Sequence, residues 1–242
     1  KDNSIDLIIT DPPYIISKKS NFNKGKKSVK YSNISIDFGK WDKEEIDLDM
    51  LFYHYHRILK SGGTIIIFYD IWKSSKIKNA AEKYKLKQPR VCQWLKNNAV
   101  PINSNKNYLS NAAEYFFTFV KDKNPTFNSK YDKGVYNYPL CHGKEKTSHP
   151  TQKPISLIKE LIKKHSNEND IVLDTFSGSG TTAVACKALN RNYILIEKET
   201  KLLNIKKVDT VKKLNEEIAA LQARNAEVSL FSLEAVRKRD KL

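Results

Sequence analysis

Residues 171–182 read IVLDTFSGSGTT. Ile171–Asp174 is a short apolar run of strand type, Thr175–Gly180 a tight turn of small residues, and Thr181–Leu189 a helix. A strand that passes through a glycine-rich turn straight into a helix is half of a βαβ unit and calls for a mainly parallel sheet. Glycines at such a turn let the backbone approach a ligand at the carboxyl edge of the sheet. The next strand, Tyr193–Ile196, ends at Glu197. An acid there can accept two hydrogen bonds from ribose hydroxyls, a feature that a turn serving only to pack a helix does not need.

The turn does not have the GxGxxG spacing, and no lysine comes after it as in a phosphate loop. A nucleoside without pyrophosphate, such as S-adenosylmethionine, therefore suits it best. Far upstream, Ile5–Thr10 (IDLIIT) is a second buried strand, halted by Asp11-Pro12-Pro13-Tyr14 because two prolines cannot continue a ladder. That tetrapeptide suits chemistry on an exocyclic base amine, whose lone pair is delocalised into the ring. A carboxylate and a proline carbonyl can accept its two N–H bonds and turn the lone pair toward an electrophile. Tyr14 offers a flat face on which a base can stack.

Between these ends the pattern predicts a helix over Glu44–Lys60, stopped by Ser61-Gly62-Gly63, and a strand over Thr64–Tyr69. A helix over Trp72–Tyr84 and strands over Arg90–Leu95 and Ala112–Val120 come next. Residues 15–42 form a long polar loop, and Lys121–Ser148 is expected to be largely irregular. Pro154 opens a helix over Ile155–His165, and a charged helix runs from Glu199 to about Ala223 before a loose tail. Trp41, Trp72 and Trp94 are expected in the core. The whole is an α/β fold, doubly wound around a mainly parallel sheet.

The 242 residues contain 43 Lys+Arg against 27 Asp+Glu, a net charge of +16. Six lysines, at 18, 19, 24, 26, 27 and 30, stand in residues 15–36 without one acid, and residues 71–110 carry nine basic residues against Glu82 alone. Such clusters favour a polyanion, since neutralised phosphates release counterions. No run of apolar residues is long enough for a membrane helix, and no membrane partner is expected. Cys92, Cys141 and Cys186 lie far apart in no disulfide or metal pattern, which points to a cytoplasmic protein and to no metal.

The chain resembles the β class of S-adenosylmethionine-dependent DNA amino-methyltransferases of bacterial restriction–modification systems. The resemblance rests on Asp11–Tyr14 as the catalytic tetrapeptide, on DTFSGSGTT (174–182) as the cofactor motif, and on HPTQKP (149–154) just before it. The stretches 36–42 (IDFGKWD) and 93–98 (QWLKNN) add to it. Catalytic motif first, variable region next and cofactor motifs last is the circular permutation of that class, so a Rossmann-like class I methyltransferase fold with a small target-recognition insert is implied. Residues 1–95 become the catalytic half, 96–148 the target-recognition region, 149–210 the cofactor-binding half and 211–242 a C-terminal helix and tail.

Carried over residue by residue, the resemblance implies that Asp11, Pro12, Pro13 and Tyr14 hold and activate the target amine. Asp174, Phe176, Ser177, Gly178, Ser179 and Gly180 wrap the cofactor, Thr181 and Thr182 meet its carboxylate at the helix N-terminus, and Glu197 takes the ribose. His149, Thr151, Gln152 and Lys153 approach it from the other side. By their own chemistry, Lys18, Lys19, Lys24, Lys26 and Lys27 suit phosphates, while Asn97, Asn98, Asn103, Asn105 and Asn107 suit base edges or phosphates of double-stranded DNA. Asp at the first position of the tetrapeptide goes with adenine N6 in that family; cytosine N4, an RNA base and a non-catalytic DNA-binding subunit stay open as alternatives. A cognate restriction endonuclease, without obligate contact, and a homodimer belong to the same expectation.

Overall fold

The computed structural model describes residues 1–13, 46–99, 109–147 and 151–198. Among them seven strands form one sheet: β1 (Ile5–Thr10), β2 (Leu59–Phe68), β3 (Lys87–Leu95), β4 (Ala113–Val120), β5 (Val135–Asn137), β6 (Ile171–Asp174) and β7 (Asn192–Leu195). Their spatial order is β5-β3-β4-β2-β1-β6-β7. β1 runs parallel to β2 and β6, β6 parallel to β7, and β3 parallel to β5. Of these strands β4 is the reversed one, pairing antiparallel with both β2 and β3. The expected doubly wound, mainly parallel sheet is therefore present. The winding direction changes between β1 and β6, and a crevice at that switch point is where such sheets bind ligands.

The described helices cover the two faces: α1 (Leu48–Ile58), α2 (Ser74–Lys83), α3 (Ile155–His165) and α4 (Thr181–Ala188). Strand alternation divides the core between them. Ile8, Ile65, Ile67, Phe117 and Phe119 point to one face, packed with Phe52 and Tyr55 of α1 and Ile77 of α2. Leu7, Ile9, Ile66, Phe68 and Phe116 point to the other, packed with Leu157, Ile158, Leu161 and Ile162 of α3 and Cys186 of α4. Among the described residues no helix is long and apolar enough to cross a membrane.

Three local expectations change. Gly62 and Gly63 do not stop α1. The helix ends at Ile58, where Leu59 turns extended while its N–H still bonds to Tyr55, and both glycines lie inside β2. They are needed there for space. A Cβ on Gly63 would stand 2.7 Å from the Leu59 side chain and 2.9 Å from the Asp6 carbonyl oxygen, and Gly62 has φ +78° with the Asn124 carbonyl 2.9 Å from any added Cβ. Lys121–Ser148 is less irregular than expected: it holds β5, whose central Tyr136 is buried, and a 3-10 turn at Gly143–Glu145. Trp94 is buried, but Trp72 is 91% exposed. It sits in a 3-10 turn (Ile71–Lys73) ahead of α2, where Ile77, Ala80 and Ala81 already fill the buried positions. Trp41, the rest of the loop 15–42 and the helix expected from Glu199 to about Ala223 lie outside the described residues.

Candidate active site

β1 and β6 are neighbours, so the segments leaving their carboxyl ends emerge side by side. β1 leads into Asp11, Pro12 and Pro13, and β6 into the turn Thr175–Gly180. Asp11 and residues 176–179 of the turn line one open cleft, with Ile9, Phe68, Thr151, Gln152 and Lys153 also on its wall. The proline corner and the small-residue turn, 163 residues apart from Asp11 to Asp174, thus share a single site.

The turn is shaped by Asp174, itself buried. Its Oδ2 accepts the Thr182 hydroxyl at 2.6 Å, and its Oδ1 accepts the Phe176 N–H and the Thr10 hydroxyl, each at 3.1 Å. Burial nevertheless pushes its carboxyl up to about 6, against the pull of those donors. Gly178 and Gly180 take φ of +48° and +78°, a left-handed geometry that side chains resist, and Gly180 caps α4. Glu197, just beyond β7, accepts the Gly178 N–H at 2.7 Å, tying the strand end to the turn. The buried Ser177 hydroxyl has no hydrogen-bond partner among the described residues, and Ser177 lines the cleft.

Asp11 presents its two oxygens differently. Oδ2 contacts the Lys153 ammonium, whereas the buried Oδ1 has no partner among the described residues. Burial raises the Asp11 carboxyl above its ordinary range, Lys153 opposes the rise, and Glu114 adds to it. The sequence places Lys153 toward a cofactor; in the structure its ammonium lies between Asp11 and Glu114, 3.3 Å from Glu114 Oε2 and 5.0 Å from the Phe68 ring centroid. Gln152 is buried and binds its own loop: Oε1 accepts the Thr147 N–H and hydroxyl at 2.8 and 2.9 Å, and Nε2 donates to the Glu145 carbonyl at 3.0 Å.

Asn97 and Asn98 are exposed near the end of β3, and Asn98 Oδ1 accepts the Leu140 N–H at 2.7 Å. Tyr14, His149, Asn103 and the lysines at 18, 19, 24, 26 and 27 lie outside the described residues. Sequence reading passes over Thr10, Lys96 and Glu114. Glu114 does leave a signal: it is the single charge in the aromatic strand AEYFFTFV.

Comparison with known proteins agrees with this geometry. The family model described as DNA methylase, for amino methyltransferases of the N6 and N4 type, matches residues 5–208. The type II methyltransferase M2.MboI of Moraxella bovis is 32% identical over 227 residues, covering 86% of this chain and 81% of that protein. The type II methyltransferase M.HinfI of Haemophilus influenzae is 33% identical over 226 residues, covering 84% and 62%. Among solved structures, the M1.HpyAVI–SAM complex aligns with a TM-score of 0.59 at 33% identity, over 82% of this chain and 85% of that one. The cytosine-N4-specific PvuII DNA methyltransferase, 16% identical, aligns at 0.62 over 83% and 77% and shares the fold. The family match begins with the first residue of β1 and runs past β7, so it takes in both halves of the cleft: this chain belongs to the DNA methylase family and is a DNA methyltransferase.

Proposed function

We propose that the chain methylates the N6 amine of adenine in a specific sequence of double-stranded DNA, with S-adenosylmethionine as donor and the target base flipped into the cleft. The observation that carries the reading is the shared cleft, with Asp11, whose Oδ1 is unpartnered among the described residues, and turn residues 176–179 on its wall. The donor set suits that cofactor. Left-handed Gly178 and Gly180 leave the backbone bare, the Ser177 hydroxyl is unengaged by any described residue, and Glu197, held on the Gly178 N–H, is the acid proposed to take the ribose. The M1.HpyAVI–SAM complex, 33% identical, supports the same ligand. When bound, that cofactor supplies a methyl group on a positively charged sulfur.

The chain's own residues do the rest. Asp11 Oδ1 accepts one N–H of the target amine and the Pro12 carbonyl the other, which draws the nitrogen toward tetrahedral geometry and aims its lone pair along the cleft. The N–C bond forms as the S–C bond breaks, and the nitrogen then sheds one proton to restore a neutral amine. Asp11, which in this reading already holds one N–H of that amine and whose carboxyl burial raises, takes that proton. Tyr14 stacks on the flipped base.

A cytosine-N4 enzyme shares this fold, so the fold does not choose the base. Asp11 as the first residue of the tetrapeptide favours adenine. DNA contact is assigned to lysines 18, 19, 24, 26 and 27, to Asn97, Asn98 and Asn103, and to the exposed Trp72, four positions beyond the cleft residue Phe68. A cytoplasmic location, a cognate restriction endonuclease and a homodimer complete the reading. Genomic DNA from expressing cells, hydrolysed to nucleosides, should contain N6-methyladenine, and none with Asp11→Ala. Accumulation of N4-methylcytosine instead, or an active Asp11→Ala enzyme, overturns the assignment.

A further inference from the structure

We propose that Glu114 is a positioning residue for methyl transfer: acting through Lys153, it holds Asp11 with Oδ2 occupied and Oδ1 alone facing the target amine. The inference rests on the reading of Asp11 as acceptor of that amine.

Four side chains form a row of alternating charge at the carboxyl edge: Lys96, Glu114, Lys153 and Asp11. Lys96 Nζ is 2.7 Å from Glu114 Oε1, Lys153 Nζ is 3.3 Å from Glu114 Oε2, and Lys153 meets Asp11 Oδ2. The lysine side chains are only 11% and 8% exposed, and they lie over the Trp94 and Phe68 rings respectively. Holding two nearly buried ammonium groups against carboxylates that are only 24% (Asp11) and 28% (Glu114) exposed is costly, and an apolar set of the same volume is often at least as stable. Fold stability is therefore a poor reason for the row.

Ionising Asp11 is no reason for Glu114 either. Lys153 alone favours the Asp11 carboxylate, whereas the negative charge of Glu114 works against it. What Glu114 adds is a second anchor. A lysine ammonium on a four-carbon stem is held in a narrower range between two carboxylates than against one. Burial would push the Glu114 carboxyl up, yet Lys153 and Lys96 together hold it below its ordinary range, so the anchor stays charged. The reversed direction of β4 supplies the placement: the first residues of that strand, rather than the last, reach the edge where β1 ends.

The test is single-turnover transfer of labelled methyl from S-adenosylmethionine to substrate DNA across pH 5–9, for wild type, Glu114→Gln, Lys153→Met and the double variant. Glu114→Gln should slow the transfer step at saturating substrates about 10- to 100-fold, since misplacement of a reacting group by an ångström costs on that order. KM for both substrates should change less than about threefold, and the acid limb of the profile should not move up. Lys153→Met should move the acid limb up by about one pH unit or more. The double variant should be no slower than Lys153→Met, because Glu114 acts through that lysine. Multiplying defects in the double variant, or a Glu114→Gln loss confined to KM, overturns the proposal. Thermal unfolding of each variant accompanies the assay; if Lys153→Met does not fold, the split between rate and KM in Glu114→Gln decides. A wild type that transfers no methyl group would instead refute the reading of the site itself.

Discussion

Thr10, the last residue of β1, donates its hydroxyl to Oδ1 of Asp174, the last residue of β6, across 3.1 Å. The bond joins the strand that carries Asp11 to the strand that carries the glycine turn, at the point where the sheet changes its winding direction. The Thr10 hydroxyl also lies 3.2 Å from that of Thr175, which in turn contacts the Tyr55 hydroxyl from α1.

Thr10→Val keeps the shape of the side chain and removes that donor. A buried carboxylate that loses one of its partners should cost the fold about 1–3 kcal/mol. Urea unfolding at neutral pH measures the loss, and isothermal titration should show weaker binding of S-adenosylmethionine through the loosened turn.

Asp174 also gives the fold a pH dependence. Its folded carboxyl sits at about 6, above the ordinary 3.8, so between those values the native state binds more protons than the unfolded chain. Stability then falls as pH rises through that window, by about 3 kcal/mol in total, and stays level above it. Asp174→Asn should flatten this segment of the curve. Unfolding free energies at pH 4, 5, 6 and 7 for both proteins test the sign, which is opposite to that of a salt-bridged carboxylate.

Gly63→Ala places a Cβ 2.7 Å from the Leu59 side chain and 2.9 Å from the Asp6 carbonyl oxygen. The backbone oxygen cannot move without disturbing β1, so a loss of roughly 1–3 kcal/mol is expected, visible as a lower Tm. Because Asp6 is five residues before Asp11, transfer activity should also fall before the protein unfolds on warming.

Trp72→Ala removes a ring that is 91% exposed, so its Tm should stay within about a degree of wild type. Its DNA affinity should fall by about 1–3 kcal/mol if the ring stacks on a base, with Trp72→Phe restoring most of the loss. Fluorescence anisotropy with a labelled duplex reads both; equal affinity for all three proteins removes Trp72 from the DNA face.

Much of the fold is legible in the sequence because buried parallel strands are short apolar runs with abrupt stops. Ile5–Thr10, Ile171–Asp174 and the helix Ile155–His165 appear with the bounds their patterns predict. Gly62 and Gly63 mislead because a helix stop and a crowded strand ask the same thing of a glycine, and only the distance to Leu59 and Asp6 tells them apart. Val135–Asn137 is too short for a period to register. In the site, strand ends announce themselves by position, which is why Asp11 and Glu197 stand out. The partnership of Lys153 with Asp11 and Glu114 spans three separate elements, and no local pattern encodes which of several acids a lysine will meet.

The reversed strand has one more effect. β3 arrives at the rim and β4 departs from it, and the Lys96 N–H closes the gap by bonding to the Ala112 carbonyl at 2.8 Å. The segment between those two residues is tied at a common base on the rim that carries the cleft. A change in the length of the part beyond Asn98 is expected to leave the pairing of β3 with β4 in place, because that pairing is closed at this base. If that segment reads DNA as proposed, a new target sequence asks only for a change between these two ends, away from the residues that carry the reaction.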